Sequence, residues 1–301
     1  MPVDSPAAWP ALLRPATAIT GLALLWLVES RTPAASRPGA LQNTSRLRHA
    51  ARNYGLAAAC GLTVLWAAGG LIIATTEYAE HHSIGLLRSL PLHTAASTAL
   101  AILLLDLWTW AWHLACHRIP LLWRFHRVHH SDTAMDVSTS ARFHPGELAC
   151  STAARIPVIL LLGVSTAQLL LFETLLLAVS QLHHSAITAR HLDRWLGWLL
   201  VTPGIHRVHH SRNRDETNSN YSAILSVWDR LFRTRCSVDR ALTEPPGLSG
   251  MDGDDFQTLL GLLKTPLISP HDSPKHPASA PQTSALHPPS PENQTAPISE
   301  P

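Results

Sequence analysis

Charge is scarce in this chain. Only 15% of its 301 residues are Asp, Glu, Lys or Arg, against roughly 25% in an ordinary water-soluble domain. A net charge of only +2 leaves no basic field of the kind nucleic-acid binding needs, so no nucleic-acid partner is expected. Lysine is confined to Lys264 and Lys275, so Arg carries the positive charge, as in proteins of GC-rich bacterial genomes. The four cysteines, Cys60, Cys116, Cys150 and Cys236, stand far apart with no CxxC pair. That excludes a zinc ribbon and a disulfide framework. There is no cysteine cluster for iron–sulfur binding and no GxGxxG turn after a strand, so redox chemistry here draws its electrons from outside.

What the chain has in excess is apolar runs and histidine. The runs cover Ala16–Val28, Gly55–Thr76, Leu92–Ala115 (interrupted by His93 and Asp106) and Cys150–Leu182. A bilayer crossing takes about 20 residues. The first run, followed by Pro33-Ala34-Ala35-Ser36, has a signal-peptide core as its other reading, but Glu29 and Arg31 favour a span. The last run is too long for one span and predicts two helices turning near Gly163. The expected fold is all-α: an integral membrane helical bundle of about three spans plus a helical hairpin, with a cytoplasmic His-rich helical cap. Residues 1–91 hold the N-terminal spans and loops, 92–240 the catalytic part. Residues 241–301 are expected to be a Pro/Ser-rich disordered tail.

Arginine placement orients the bundle. Arg31, Arg37, Arg46, Arg48 and Arg52 follow the first run and predict a cytoplasmic loop. Glu77, Glu80 and a lone Arg88 follow the second and predict the outer side. The histidine cluster and the C-terminus then face the cytoplasm, in a bacterial inner membrane. Trp108, Trp110, Trp112 and Trp123 predict an interfacial aromatic belt. Glu173, deep in the hairpin, is costly in lipid and is expected to pair with Gln168 or face inward.

Of the 19 histidines, most fall in a pattern. His113 and His117 are four apart, one helical turn on the same face. His126, His129 and His130 form HxxHH, and His206, His209 and His210 repeat it. The two words are nearly identical, His126-Arg-Val-His-His-Ser131 and His206-Arg-Val-His-His-Ser211. Chance gives about 0.1 HxxHH per chain at this histidine frequency. His183 and His184 lie between the copies. Imidazole suits iron, zinc, copper and nickel alike, but a zinc site takes three or four ligands. Eight or nine convergent rings are right for two ions, and a two-metal, all-histidine membrane site suggests O2 activation on iron. His49, His93 and His191 read as packed or capping residues; His81 and His82 lie in the outer loop.

These motifs resemble the fatty acid hydroxylase/sterol desaturase superfamily. The resemblance covers about Asp106 to Thr234. It extends to Arg142-Phe-His-Pro-Gly-Glu147, similar to the family's RxHPxE stretch, to Thr202-Pro-Gly-Ile-His-Arg-Val-His-His210, and to Asn220-Tyr221 with Trp228-Asp-Arg-Leu-Phe232. Departures from the pattern are Ala186 for Asn, and Ser222 and Arg233 for Gly. The resemblance implies that His113, His117, His126, His129, His130, His184, His206, His209 and His210 are metal ligands. His183 stays open as the alternative to His184, and His144 is a further ligand or a close neighbour. Asp132, Asp136, Asp215 and Glu147 are candidates to orient ligating rings. It also implies two Fe ions, O2 as co-substrate and an external electron donor such as a reductase, ferredoxin or cytochrome. The substrate would be a fatty acyl, sterol or isoprenoid lipid, hydroxylated or desaturated in the membrane. The alternatives are a membrane zinc hydrolase with Glu147 as base, or a histidine-rich metal-binding or transport protein.

Overall fold

A computed structural model describes residues 8–31, 43–61, 69–187, 190–238 and 246–268. Among them there is no named strand, and only the isolated bridges Leu200–Leu225 and Ser211–Pro246 break an all-helical architecture. The long helices are α1 (Ala8–Arg31), α2 (Asn43–Cys60) and α3 (Gly70–His81). After the single turn α4 (Leu86–Ser89) come α5 (Thr94–Arg118), α6 (Pro120–His130), α7 (Pro145–Leu162) and α8 (Thr166–His184). Short helices follow: α9 (Arg190–Trp195), α10 (Pro203–His209), α11 (Arg214–Thr217), α12 (Val227–Leu231) and α13 (Leu259–Lys264).

Two helices are long and apolar enough to cross a membrane, Thr94–Arg118 and Pro145–Leu162, with mean hydropathies of 1.5 and 1.3. Leucine and isoleucine side chains such as Ile19, Leu24, Leu71 and Leu161 lie exposed on the long helices, a surface suited to lipid rather than water. The Gly55–Thr76 run is divided: α2 ends at Cys60 and α3 starts at Gly70, and residues 62–68 lie outside the described residues.

The expected hairpin is present. Helix α7 ends at Gly163 in the left-handed conformation, φ 69°, which glycine adopts without a Cβ penalty. Ser165 then caps α8 in a capping box with Gln168. The tip is clamped by the segment after α3. Arg88 donates to the Gly163 carbonyl at 3.0 Å, and a Cβ on Gly163 would lie 2.2 Å from the Ile84 carbonyl oxygen. Leu87, Ala101, Leu105, Ile159, Leu169 and Phe172 form the apolar core between α4, α5, α7 and α8. From the tip, α8 descends to His183 and His184, and α5 descends beside it to His113 and His117. Histidines and hairpin tip are therefore at opposite ends of the bundle. Glu173 does not pair with Gln168, which is engaged with Ser165 and Ser97; its partners are Arg155 and Arg14.

At the histidine end a buried polar network ties the N-terminal helices to the cap. Glu29 closes α1 by accepting from the backbone of Val137 (2.9 Å) and Ala186 (2.7 Å) and by pairing with Arg46. His49 and Asn53 of α2 meet the Asp132 carboxylate. Burial opposes charge on His49, but the Asp132 and Asp136 carboxylates outweigh it and push the ring up to about 10. Two expectations need correction. Residues 246–268 are folded into the cap, so the ordered chain does not end at 240: buried Gln257 bonds the Ser131 and Met251 carbonyls, and Arg127 donates to the carbonyls of Thr265 and Ile268. Trp110 is not in a surface belt; it is buried, stacks on Phe232 at 4.2 Å and donates to Asp229.

Candidate metal centre

The nine histidines named from the sequence converge in two adjoining groups. His113, His117, His126, His130 and His209 form one, and His129, His184, His206 and His210 the other; within each group the ligand atoms lie within 4.8 Å of one another. Helix geometry explains the division. Residues i and i+4 are about 40° apart around a helix and i+3 lies about 60° to the other side. In α6, His126 and His130 therefore face the first group while His129 faces the second. Helix α10 reverses this: His206 and His210 serve the second group and His209 the first. Each HxxHH word thus straddles both groups.

Ring tautomers decide what lies between them. The Nδ1 atoms of His113, His129, His184 and His209 meet the backbone carbonyls of Tyr221 (2.8 Å), Arg142 (3.2 Å), Ser180 (2.8 Å) and Ser219 (2.7 Å). His126 Nδ1 meets the Glu147 carboxylate at 2.7 Å. These partners only accept, so each Nδ1 carries the proton and each Nε2 presents a lone pair. The Nε2 atoms nevertheless crowd together: His113–His126 3.1 Å, His113–His209 2.9 Å, His129–His184 3.0 Å. Two lone pairs at that distance repel, and no proton is available to bridge them. Burial, reinforced by the neighbouring rings, holds His129, His130, His206 and His210 well below the ordinary imidazole range, and burial takes His209 to about 3. Neutral, inward-facing, mutually repelling nitrogens fit bound cations. So do the ring nitrogens of His130 and the Nδ1 atoms of His206 and His210, which are buried without a hydrogen-bond partner.

Residues outside the histidine motifs hold these acceptors in place. Asp106 accepts from the backbone of Ile224 and Leu225 and from Trp228 Nε1; Asp229 accepts from Tyr221 and Ser222. Together they fix the loop whose Ser219 and Tyr221 carbonyls orient His209 and His113. The sequence reading left Asp106 and the carbonyls without a role. The two aspartates carried a signal, being carboxylates in apolar surroundings; a backbone carbonyl carries none.

Six other candidates fall differently. Glu147 accepts from His126 Nδ1 and lies in a smaller cluster with His126 and Cys116. His144 is outside both groups: it caps α7 by accepting from Gly146, donates to the Leu263 carbonyl and stacks on Phe125. Asp132 and Asp136 bind no ligating ring. Asp132 accepts from His49, Asn53 and Thr139; Asp136 accepts from Ser138 and pairs with Arg46. Asp215 is exposed. His183 is buried with its ring 4.0 Å from that of His206 but belongs to neither group, whereas His184 Nε2 lies 3.0 Å from His206 Nε2. A cavity of about 470 Å³ opens onto His113, His126, His129, His184 and His206 and runs up between the long helices.

Residues 98–234 match the fatty acid hydroxylase family. Similar proteins include an alkylglycerol monooxygenase from Danio rerio, 33% identical over 52% of this chain and 35% of the relative. An ornithine lipid hydroxylase from Rhizobium tropici is 30% identical over 48% of this chain and 43% of its own length. A cholesterol 25-hydroxylase from Rattus norvegicus is 27% identical over 46% of each chain. The chain thus spans less than half the length of these relatives, and no solved structure matches it. The matched segment, a little under half of the chain, contains all nine histidines of the two groups and is a fatty acid hydroxylase domain.

Proposed function

We propose that the protein is an O2-dependent lipid hydroxylase of the membrane whose nine histidines hold two iron ions. The observation that carries this reading is the set of Nε2 lone pairs facing one another near 3 Å with their protons fixed on Nδ1. Separations of that size also suit adjacent positions of an octahedral ion with bonds of about 2.1 Å better than a tetrahedral zinc, whose ligands stand about 3.4 Å apart. A zinc hydrolase would leave half the rings unused. A transporter would place its ligands near the bilayer midplane, not at the helix ends where these lie.

When bound, the iron pair supplies O2 reduction and oxidation of an unactivated C–H bond. The protein keeps the rings neutral, fixes their tautomers through carbonyls and Glu147, and presents a cavity with apolar walls that excludes water from the reacting carbon. The names of the relatives, all hydroxylases or monooxygenases, favour an alcohol product over an alkene. Electrons come from an external reductase, ferredoxin or cytochrome. The bundle crosses a bacterial inner membrane with α1 and α5 running inward and α7–α8 as a hairpin, the histidine cap on the cytoplasmic face. The test is purification of the full chain from iron-replete cells, with metal analysis and lipid mass spectrometry of the host with and without the gene. Two irons per chain and an O2-dependent gain of one oxygen are expected. One zinc per chain, or product formed without O2, overturns the proposal.

A further inference from the structure

The cavity reaches well beyond the histidines. Its walls are largely apolar, including Ile72, Ile73, Leu169, Leu170, Leu176 and Leu177, yet besides Glu147, which is bonded to His126, three charged side chains line it: Arg14, Arg155 and Glu173. Arg155 pairs with one oxygen of Glu173, and Arg14 lies 3.4 Å from the other. Arg155 and Glu173 stand mid-helix on α7 and α8, where each charge costs about 2.5–3.5 kcal/mol in a bilayer. A structural ion pair needs one arginine. The second, Arg14, keeps 47% of its side-chain exposure and adds a further positive charge at the cavity beside the pair. The side chains of Arg155 and Glu173 keep 17% and 15% of their exposure, so the pair is reachable from the cavity rather than sealed.

We propose that Arg14, Glu173 and Arg155 form a subsite for the anionic end of the substrate. The inference rests on the hydroxylase reading above and adds to it the substrate class: an amphiphile with a single carboxylate, oxidised far from that group. One carboxylate joined to two arginines and one glutamate brings the cluster to neutrality, whereas a phosphate dianion would overshoot. Guanidinium groups also match carboxylates in shape. Glu173 and His184 are eleven positions apart on α8, about 16 Å of helical rise. The subsite and the histidines therefore act as a ruler. A chain anchored at the arginines lays carbons about that distance away against the metal centre.

The test uses the full chain in lipid nanodiscs and two probes, 16-bromohexadecanoic acid and its methyl ester. Quenching of tryptophan fluorescence is the readout, because Trp112 lines the cavity beside His113. The acid is expected to bind roughly tenfold more tightly than the ester, with the saturable quenching lost in Trp112→Phe. Arg155→Gln abolishes the preference for acid and leaves ester binding unchanged. Glu173→Gln, which removes the competing carboxylate, tightens acid binding. Equal affinities in the unaltered protein overturn the proposal. So does equal weakening of both probes by Arg155→Gln, weaker acid binding in Glu173→Gln, or saturable quenching that survives Trp112→Phe. Iron content and O2 consumption are measured on the same preparations. Their absence refutes the hydroxylase reading while an acid preference still supports the subsite; normal iron without that preference refutes the subsite alone.

Discussion

Arg233 shows at the scale of one residue what a departure from the family pattern does. It stands just past α12 with φ 58°, a left-handed position that favours glycine, and glycine is what the family pattern carries there. Arg233→Gly is expected to stabilise the protein by about 1 kcal/mol, seen as a rise in thermal midpoint; a fall would show that the arginine side chain makes a compensating contact. The ligand rings behave differently. If the rings hold iron as proposed, His129→Ala strips one group and His209→Ala the other, and each is expected to abolish turnover and to lower bound iron. Retained iron and normal turnover in both would refute the ligand assignment. Acid should act on the metal-free protein through the same rings. His209 titrates near 3 when folded and near 6.5 when unfolded. The unfolded chain therefore binds more protons between those values, and stability present above about pH 6.5 is lost as the pH falls toward 3. Denaturation midpoints measured across that window check the sign.

Among the elements, the α7–α8 hairpin carries the sharpest constraint. Gly163→Ala meets both a left-handed backbone and the Ile84 carbonyl oxygen, so a loss of about 2 kcal/mol or more is expected, read in chemical denaturation. An unchanged midpoint would mean that the tip is not packed as described. This hairpin was legible in the sequence because an overlong apolar run around Gly-Val-Ser-Thr admits few other structures. The histidine groups were legible because 3.6-residue periodicity fixes which rings share a face. The assignment of His126 and His130 to one group and His129 to the other was not, since it depends on how α6 and α10 lie against each other. Nor was His144, where a motif histidine turns out to cap a helix. Asp132 directly follows the first HxxHH word in sequence, but its spatial neighbours are His49 and Asn53 of α2.

Over the whole molecule, the cap is built from distant stretches of chain. Residues 246–268 were hidden in a segment whose composition reads as tail, because Gln257 and the Thr265 and Ile268 carbonyls act through hydrogen bonds that hydropathy does not register. Truncation after residue 268 is expected to leave stability and turnover unchanged. Truncation after residue 245 strips Arg142 and Arg127 of partners and should cost several kcal/mol, with poor yield of folded protein. Equal behaviour of the two truncations would contradict the packing. The orientation of the bundle is checked by a reporter fused after Leu41, expected to register the cytoplasm.

Helices α6 and α10 each lend rings to both histidine groups. Emptying one position would let both short helices drift, and the other position would lose its grip with them. Chelation should therefore proceed all or none: a titration is expected to contain fully loaded and bare molecules, with few carrying a single ion.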